Sequence, residues 1–291
     1  MTEETMSNIP YNAKVNTNGT YRSFNGYTTI SMLKDDLSSI EKFIADSEIL
    51  SKYYAPLPSS SYHMTVFNVW CQKQKTLPMF QKFLDEQEKA LEELKILREA
   101  KQQSWECMAN GYYHGSDAYY LKYPERKRKR KKEEVCNYVV KWGGRGPIFC
   151  KDFWIHVMLK IDEYINFGVG CAKEFNTNVL TRDDCIKRGV LSVGIILDKE
   201  TSDILTDLRN KISKHVGHGD DGLIPHMTLA YRYKDIPESE IEYVNKEVER
   251  MNKHITEVCK NGITFYKPFA SWFPDMTEFL SDKDLSDVYF F

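Results

Sequence analysis

The sequence predicts an α/β (α+β) protein of two similar lobes, and three observations predict it. A strand, helix, strand order is legible over residues 24–70 and returns over residues 174–276. The same tripeptide stands in an apolar strand of each unit, as His63-Met64-Thr65 and as His226-Met227-Thr228. Between the units lies a stretch of different character, charged and then basic, read as an insertion at about residues 72–148. Residues 1–20, polar and rich in Asn and Thr, are expected to be a flexible arm, and residues 21–291 one bilobal domain carrying that insertion.

The first unit opens with FNGYTTISML, Phe24 to Leu33, whose β-branched and aromatic residues suit a strand. Leu37, Ile40, Phe43, Ile44 and Ile49 then recur on one helical face. YYAPLPSSS has the prolines of a loop and delivers the chain to the strand around His63. In the insertion, Phe80, Phe83, Leu84, Leu91, Leu94 and Leu97 mark a long amphipathic helix. Another helical pattern runs from Cys150 to Gly168. The second unit reads as a strand at EFNTNVL, a turn or short helix at TRDDCIKRG and a strand at GVLSVGIILD. A helix to Val216, the strand IPHMTLAYRY, a helix with Ile241, Val244, Val248 and Met251 on one face, and a last strand with an aromatic turn in GITFYKPFASWFPDM follow.

With 291 residues, 42% of them hydrophobic, the chain can bury a large core. Its formal charge of −2 demands neither nucleic acid nor an anionic surface, so any electrostatic preference is local. The N-terminus lacks the pattern of a signal peptide, and no apolar run approaches the roughly 18 residues of a membrane span. Seven cysteines lie scattered without a CxxC pair, as expected of reduced thiols. The expectation is an intracellular, cytoplasmic protein without membrane contact, metal or cofactor.

The repeated tripeptide carries the chemistry. In a strand, residues two apart share a face, so His63 projects beside Thr65 and His226 beside Thr228. In-line cleavage of a phosphodiester needs a base at the attacking oxygen, an acid at the leaving oxygen and donors for the oxygens between. Two imidazoles, each with an ordinary pKa near 6.5, can divide the first two roles, and two hydroxyls can serve the third. Continuing the alternation puts Phe67 on the face of His63 and Thr65, where it could stack on a base, and Arg232 on the face of His226 and Thr228, where it could meet phosphate. Tyr62 and Tyr231 fall on the opposite faces unless a bulge intervenes. His254-Ile255-Thr256 begins the same pattern inside a helix, where residues two apart do not share a face.

PLPSSSYHMTVF and IPHMTLAY together resemble the 2H phosphoesterase superfamily, in particular a less characterised branch with a tyrosine-led first motif. The resemblance covers roughly residues 22–70 and 150–275 and fails over the insertion. It implies pseudosymmetric lobes with antiparallel-rich sheets around a central cleft, and places His63, Thr65, His226 and Thr228 at the catalytic positions. It further implies metal-independent cleavage of a nucleotide or RNA phosphodiester: a 2′,3′-cyclic phosphate, a 2′-5′ linkage or a signalling cyclic nucleotide. The alternative is a non-catalytic protein that binds RNA ends or nucleotides in the same cleft.

Other motifs have plainer readings. Arg126 to Lys132 is a basic run that could contact a polyanion or serve as a nuclear address, and is equally a solvated loop diluted by Glu133 and Glu134. His215 and His218 have a spacing a metal site could use, against a glycine-rich loop following a helix. Gly143 to Pro147 lacks the lysine and helix of a phosphate-binding loop.

Overall fold

A computed structural model describes residues 13–24, 26–71, 160–168, 173–219 and 224–281. The insertion, with its amphipathic stripe, the basic run Arg126 to Lys132 and the Gly143 to Pro147 segment, lies outside the described residues. The first unit comprises β1 (Gly26–Met32), α1 (Ser38–Asp46), β2 (Tyr54–Pro56), a 3-10 turn (Ser59–Ser61) and β3 (His63–Cys71). After a helix α2 over 160–167 come β4 (Phe175–Leu180), α3 (Cys185–Arg188), β5 (Val190–Ile196), α4 (Lys199–Val216) and β6 (His226–Arg232). The described residues end with α5 (Glu238–Val258), β7 (Ile263–Phe265), β8 (Phe269–Asp275) and β9 (Glu278–Ser281).

The fold is α+β, with two wholly antiparallel sheets. Among the described residues one has four strands in the order β3-β1-β8-β9, the other five in the order β2-β6-β5-β4-β7. Each sheet therefore borrows from the opposite end of the chain. β2, from the segment read as a loop, pairs with β6, and its Pro56 is tolerated because β2 is an edge strand. The region read as one last strand is three, of which β8 and β9 complete the sheet of β1 while β7 closes the other. Backbone bonds from Lys34 N to Thr264 O (2.8 Å) and from Tyr266 N to Met32 O (2.9 Å) tie the end of β1 to β7, joining the two sheets.

Local chemistry explains the elements. β1 is central in its sheet and buried on both faces, hence a run of apolar and hydroxyl residues rather than alternation. α4 starts where the Asp198 carboxylate accepts a bond from Thr201 N (2.7 Å) and stops at Gly217, whose φ of 83° suits only a residue without a Cβ. Its Leu205, Leu208, Ile212 and Val216 are buried at helical spacing, as are Val244, Val248, Met251 and Ile255 of α5. No helix among the described residues is long and apolar enough to cross a membrane. Cys185 and Cys259 are free thiols.

The arm is not wholly as expected. Residues 1–12 lie outside the described residues, but residues 13–24 form a tight reverse turn in which Arg22 N bonds Lys14 O (3.1 Å) and Val15 is fully buried. Tyr21 fixes the turn by donating its hydroxyl to Ala55 O (2.9 Å). The polar composition concealed this because a few buried side chains suffice to anchor a short hairpin.

Both motif strands bulge at the same place. In β3 the register with β1 skips Val66, so that Thr65 opposes Ile30 and Phe67 opposes Thr29; it skips again at Val69. In β6 the register with β5 skips Leu229, with Thr228 opposite Ser192 and Ala230 opposite Leu191. The first skipped residue in each strand directly follows the motif threonine. Such a bulge frees a carbonyl, and a buried carbonyl needs a donor. Val66 O accepts from the Arg209 guanidinium of α4 (Nε, 2.8 Å), Val69 O from the His218 ring (2.7 Å) and Leu229 O from Leu57 N (2.8 Å). Thr28 Oγ1 supplies Phe67 O as well (3.0 Å).

Arg209→Met keeps the aliphatic stem and removes the donor. It is expected to lower stability by about 1.5–3 kcal/mol, the worth of a hydrogen bond from a charged group, in urea unfolding followed by circular dichroism. No change would mean that water replaces Arg209 at the bulge.

Candidate active site

The two motifs face one cleft. His63, Thr65, His226 and Thr228 line a single cavity of about 490 Å³ between the sheets. All four side chains are half-buried, while Met64, Val66, Met227 and Leu229 are buried on the other faces. The alternation read from the sequence therefore holds as far as the threonines.

Beyond them the bulges reverse it. Phe67 is fully buried and does not line the cleft; Asn68 does. Arg232 likewise leaves the cleft and donates from Nη1 to Ile186 O (2.9 Å), while Tyr231 takes its place. One inserted residue moves the side chains that follow it to the opposite face, so the cleft-facing positions expected of Phe67 and Arg232 are both displaced by one residue. The residue five places after each histidine enters the cleft: Asn68 after His63 and Tyr231 after His226. The sequence carries a signal for this, since Val66-Phe67 and Leu229-Ala230 are consecutive apolar pairs that break the alternation.

The histidines are held alike. His63 Nδ1 lies 2.7 Å from Ser61 O, and His226 Nδ1 lies 2.8 Å from Ile224 O, each the carbonyl two residues upstream. A carbonyl only accepts, so Nδ1 carries the hydrogen in both rings and Nε2 keeps its lone pair for the cleft. The Ser61 carbonyl is set by the 3-10 turn, in which Ser61 N and Oγ both bond Pro58 O (2.8 and 2.7 Å). Glu41 on α1 steadies the turn by accepting from Ser59 N (2.7 Å). Pro225, before His226, is held through its carbonyl by Ile195 N (3.0 Å).

Both rings are biased toward the neutral form. Desolvation pushes His63 down to about 4, assisted by the charges of Lys14 and His226 and opposed by the Ser61 hydrogen bond. Phe279 of β9 contributes to that dry setting, its ring centroid 4.1 Å from that of His63. His226 is lowered first by burial, with Arg182, Lys14 and Arg188 adding to the effect. Lys14 is the cation between the motifs. Its ammonium lies 3.0 Å from the Tyr231 hydroxyl, 4.7 Å from that ring's centroid and 5.3 Å from that of Phe24. Sequence reasoning missed Lys14 because nothing in a polar arm marks its single lysine as part of a site.

Phe24, Trp70, Phe273 and Met276 give the cleft an apolar wall, and His218 stands at its edge. His218 is no metal ligand here, since both ring nitrogens meet carbonyl oxygens, Val69 O at 2.7 Å and Gly219 O at 2.8 Å. Among the described residues no group of three or more His, Cys, Asp or Glu side chains is placed to hold a metal ion. The set can do acid–base chemistry at a phosphate: two imidazole nitrogens, two hydroxyls, a tyrosine and an ammonium converge on a cleft of nucleotide size.

Because the folded-state value of His63 lies below its unfolded value, protonation opposes folding. Its neutral contribution is complete above pH 6.5 and is lost as pH falls toward about 4, about 3 kcal/mol in all. An NMR titration should find the His63 midpoint near 4, and Phe279→Ala, which lets water reach the ring, should raise it toward 6.5. A midpoint unmoved by that substitution would show that Phe279 does not desolvate the ring.

Known proteins resemble this chain in sequence and in fold. Residues 14–107, which include Lys14 and the first motif, match the family model 2H-phosphodiest, described as a domain of unknown function (DUF1868). The uncharacterized protein 127L of Invertebrate iridescent virus 6 is 25% identical over 282 residues, 91% of this chain and 94% of that protein. The crystal structure of ATU0111, a conserved protein of unknown function from Agrobacterium tumefaciens, superimposes with a TM-score of 0.53 at 15% identity, covering 94% of this chain and 92% of the other. The fold is thus an established one, and residues 14–107 are similar to a 2H-phosphodiesterase-like domain.

Proposed function

We propose that the protein is a phosphodiesterase that cleaves a nucleotide or RNA phosphodiester by paired-histidine acid–base catalysis without a metal. The observation that carries this reading is the matched tautomer of His63 and His226: both rings give Nδ1–H to a carbonyl and leave Nε2 to one cleft. A lone structural histidine has no reason to be duplicated in this way. The 2H-phosphodiesterase-like match over the first motif supports it.

In this reading a bound phosphodiester sits between the two Nε2 atoms. His63, the more deeply desolvated ring, is the neutral base that takes the proton of the attacking water. His226, with the phosphate's charge beside it, becomes the imidazolium that protonates the departing oxygen. Thr65 and Thr228 donate to the non-bridging oxygens, and Lys14 and Tyr231 add charge and a hydroxyl where negative charge grows. The wall of Phe24, Trp70 and Phe273 receives a base, and Asn68 is placed to meet its polar edge. A 2′,3′-cyclic phosphate, a 2′-5′ linkage and a cyclic nucleotide all present the bond this set can cut. The charges of Arg126 to Lys132, outside the described residues, would draw such a polyanion toward the protein.

The test is turnover of these substrate classes in EDTA. Wild type should cleave at least one of them, and His63→Ala and His226→Ala should each lower kcat by about 10²–10⁴-fold. Binding without turnover would favour the non-catalytic alternative, and loss of activity on chelation would overturn the metal-free mechanism.

A further inference from the structure

A second basin opens on the other side of His226. Arg182, Arg188, Val190, Ser192 and Ile224 line it together with His226 itself, and its volume is about 390 Å³. It thus shares one imidazole with the cleft. In the proposed cleavage neither arginine touches the scissile phosphate; both act there only through their charge on His226.

The register explains how Arg182 reaches the site. Gly194 of β5 pairs with His226 and, on its other side, with Leu180 of β4, so these three positions share the cleft face of the sheet. A Cβ on Gly194 would stand 3.5 Å from Arg182 Nη2 and 3.6 Å from Arg182 Nε. The Arg182 guanidinium therefore lies across bare backbone beside the histidine, in space that a longer side chain at 194 would fill. Asp184 feels its charge but bonds Arg188. Arg188, across the basin, is paired with Asp184 (2.5 Å) and keeps further donors of its planar fork available. Leu180 and Ile224 stand exposed by 58% and 68% along the same strip, apolar surface suited to the face of a base.

A guanidinium laid across bare sheet backbone, a second one beside it and an apolar rim fit a phosphate with a nucleoside attached. Resting on the phosphodiesterase reading, we propose that this basin is a second anion subsite, which holds the phosphate next to the scissile one, so that the substrate is an oligonucleotide rather than a mononucleoside cyclic phosphate. The scissile phosphate lies between His63 and His226. The neighbouring phosphate passes His226 and is gripped by Arg182 with help from Arg188, its base lying on Leu180 and Ile224.

The test measures binding apart from turnover, by titrating the full chain with slowly cleaved phosphorothioate dinucleotides that carry a terminal phosphate at the 5′ end, at the 3′ end or at neither. Wild type should bind one phosphorylated form about 10-fold more tightly than the unphosphorylated one, as expected for a charge-assisted contact. Arg182→Ala should reduce that preference to less than about 2-fold, with Arg182→Lys keeping part of it as a point charge without the fork. Melting temperatures equal to wild type confirm that both variants are folded. No preference in wild type, or a preference that survives Arg182→Ala, would overturn the subsite. A wild type that shows the preference yet cleaves no phosphodiester would support the subsite and contradict the catalytic reading, so the two failures are distinguishable.

Discussion

The site depends on how two strands are allowed to break their pairing. An uninterrupted β3 would put Phe67 in the cleft, and an uninterrupted β6 would put Arg232 there; a bulge one residue after each threonine gives Asn68 and Tyr231 instead. The bulges keep the strands anchored because each freed carbonyl is supplied with a donor. On β3, an edge strand among the described residues, the donor is the side chain of Arg209 from α4. On β6, which β2 flanks, it is the main chain of Leu57. The same defect is thus stabilised by two different means, as the positions of the two strands in their sheets require.

This arrangement couples the halves of the site. Leu57, which supplies the β6 bulge, begins the Leu57-Pro58 segment that runs through the 3-10 turn to Ser61, and Ser61 orients the His63 ring. α4, whose Arg209 supplies the β3 bulge, belongs to the second unit, as does the loop that places His218 on Val69 O. Each motif is positioned by residues from the other end of the chain. The exchange of β2, β8 and β9 between the sheets extends the same interdependence to the backbone. Neither unit carries a complete half of the site by itself.

Much of this was legible in the sequence. Period-two strands, period-3.6 helices and the repeated His-Met-Thr located the elements and the four convergent side chains, because those signals are local. What was not legible depended on partners far away in the chain. YYAP looked like a loop until β6 paired with it, and the arm looked disordered until Val15 was buried and Lys14 met Tyr231. The phase errors at Phe67 and Arg232 came from assuming an unbroken alternation; the apolar doublets Val66-Phe67 and Leu229-Ala230 marked the bulges, but a doublet has that meaning only once the paired strand is known. Arg182 escaped notice because it precedes a short helix, and only the pairing of Gly194 with His226 brings it to the histidine.

The central claim is that one phosphate is held between two imidazoles of identical tautomer. A crystal structure of the protein with a slowly cleaved phosphorothioate-linked dinucleotide tests it most directly. The account predicts His63 Nε2 and His226 Nε2 on opposite sides of the phosphorus, with the Thr65 and Thr228 hydroxyls on its non-bridging oxygens. A phosphate bound away from either ring, or a ring turned so that Nδ1 faces the ligand, would contradict it.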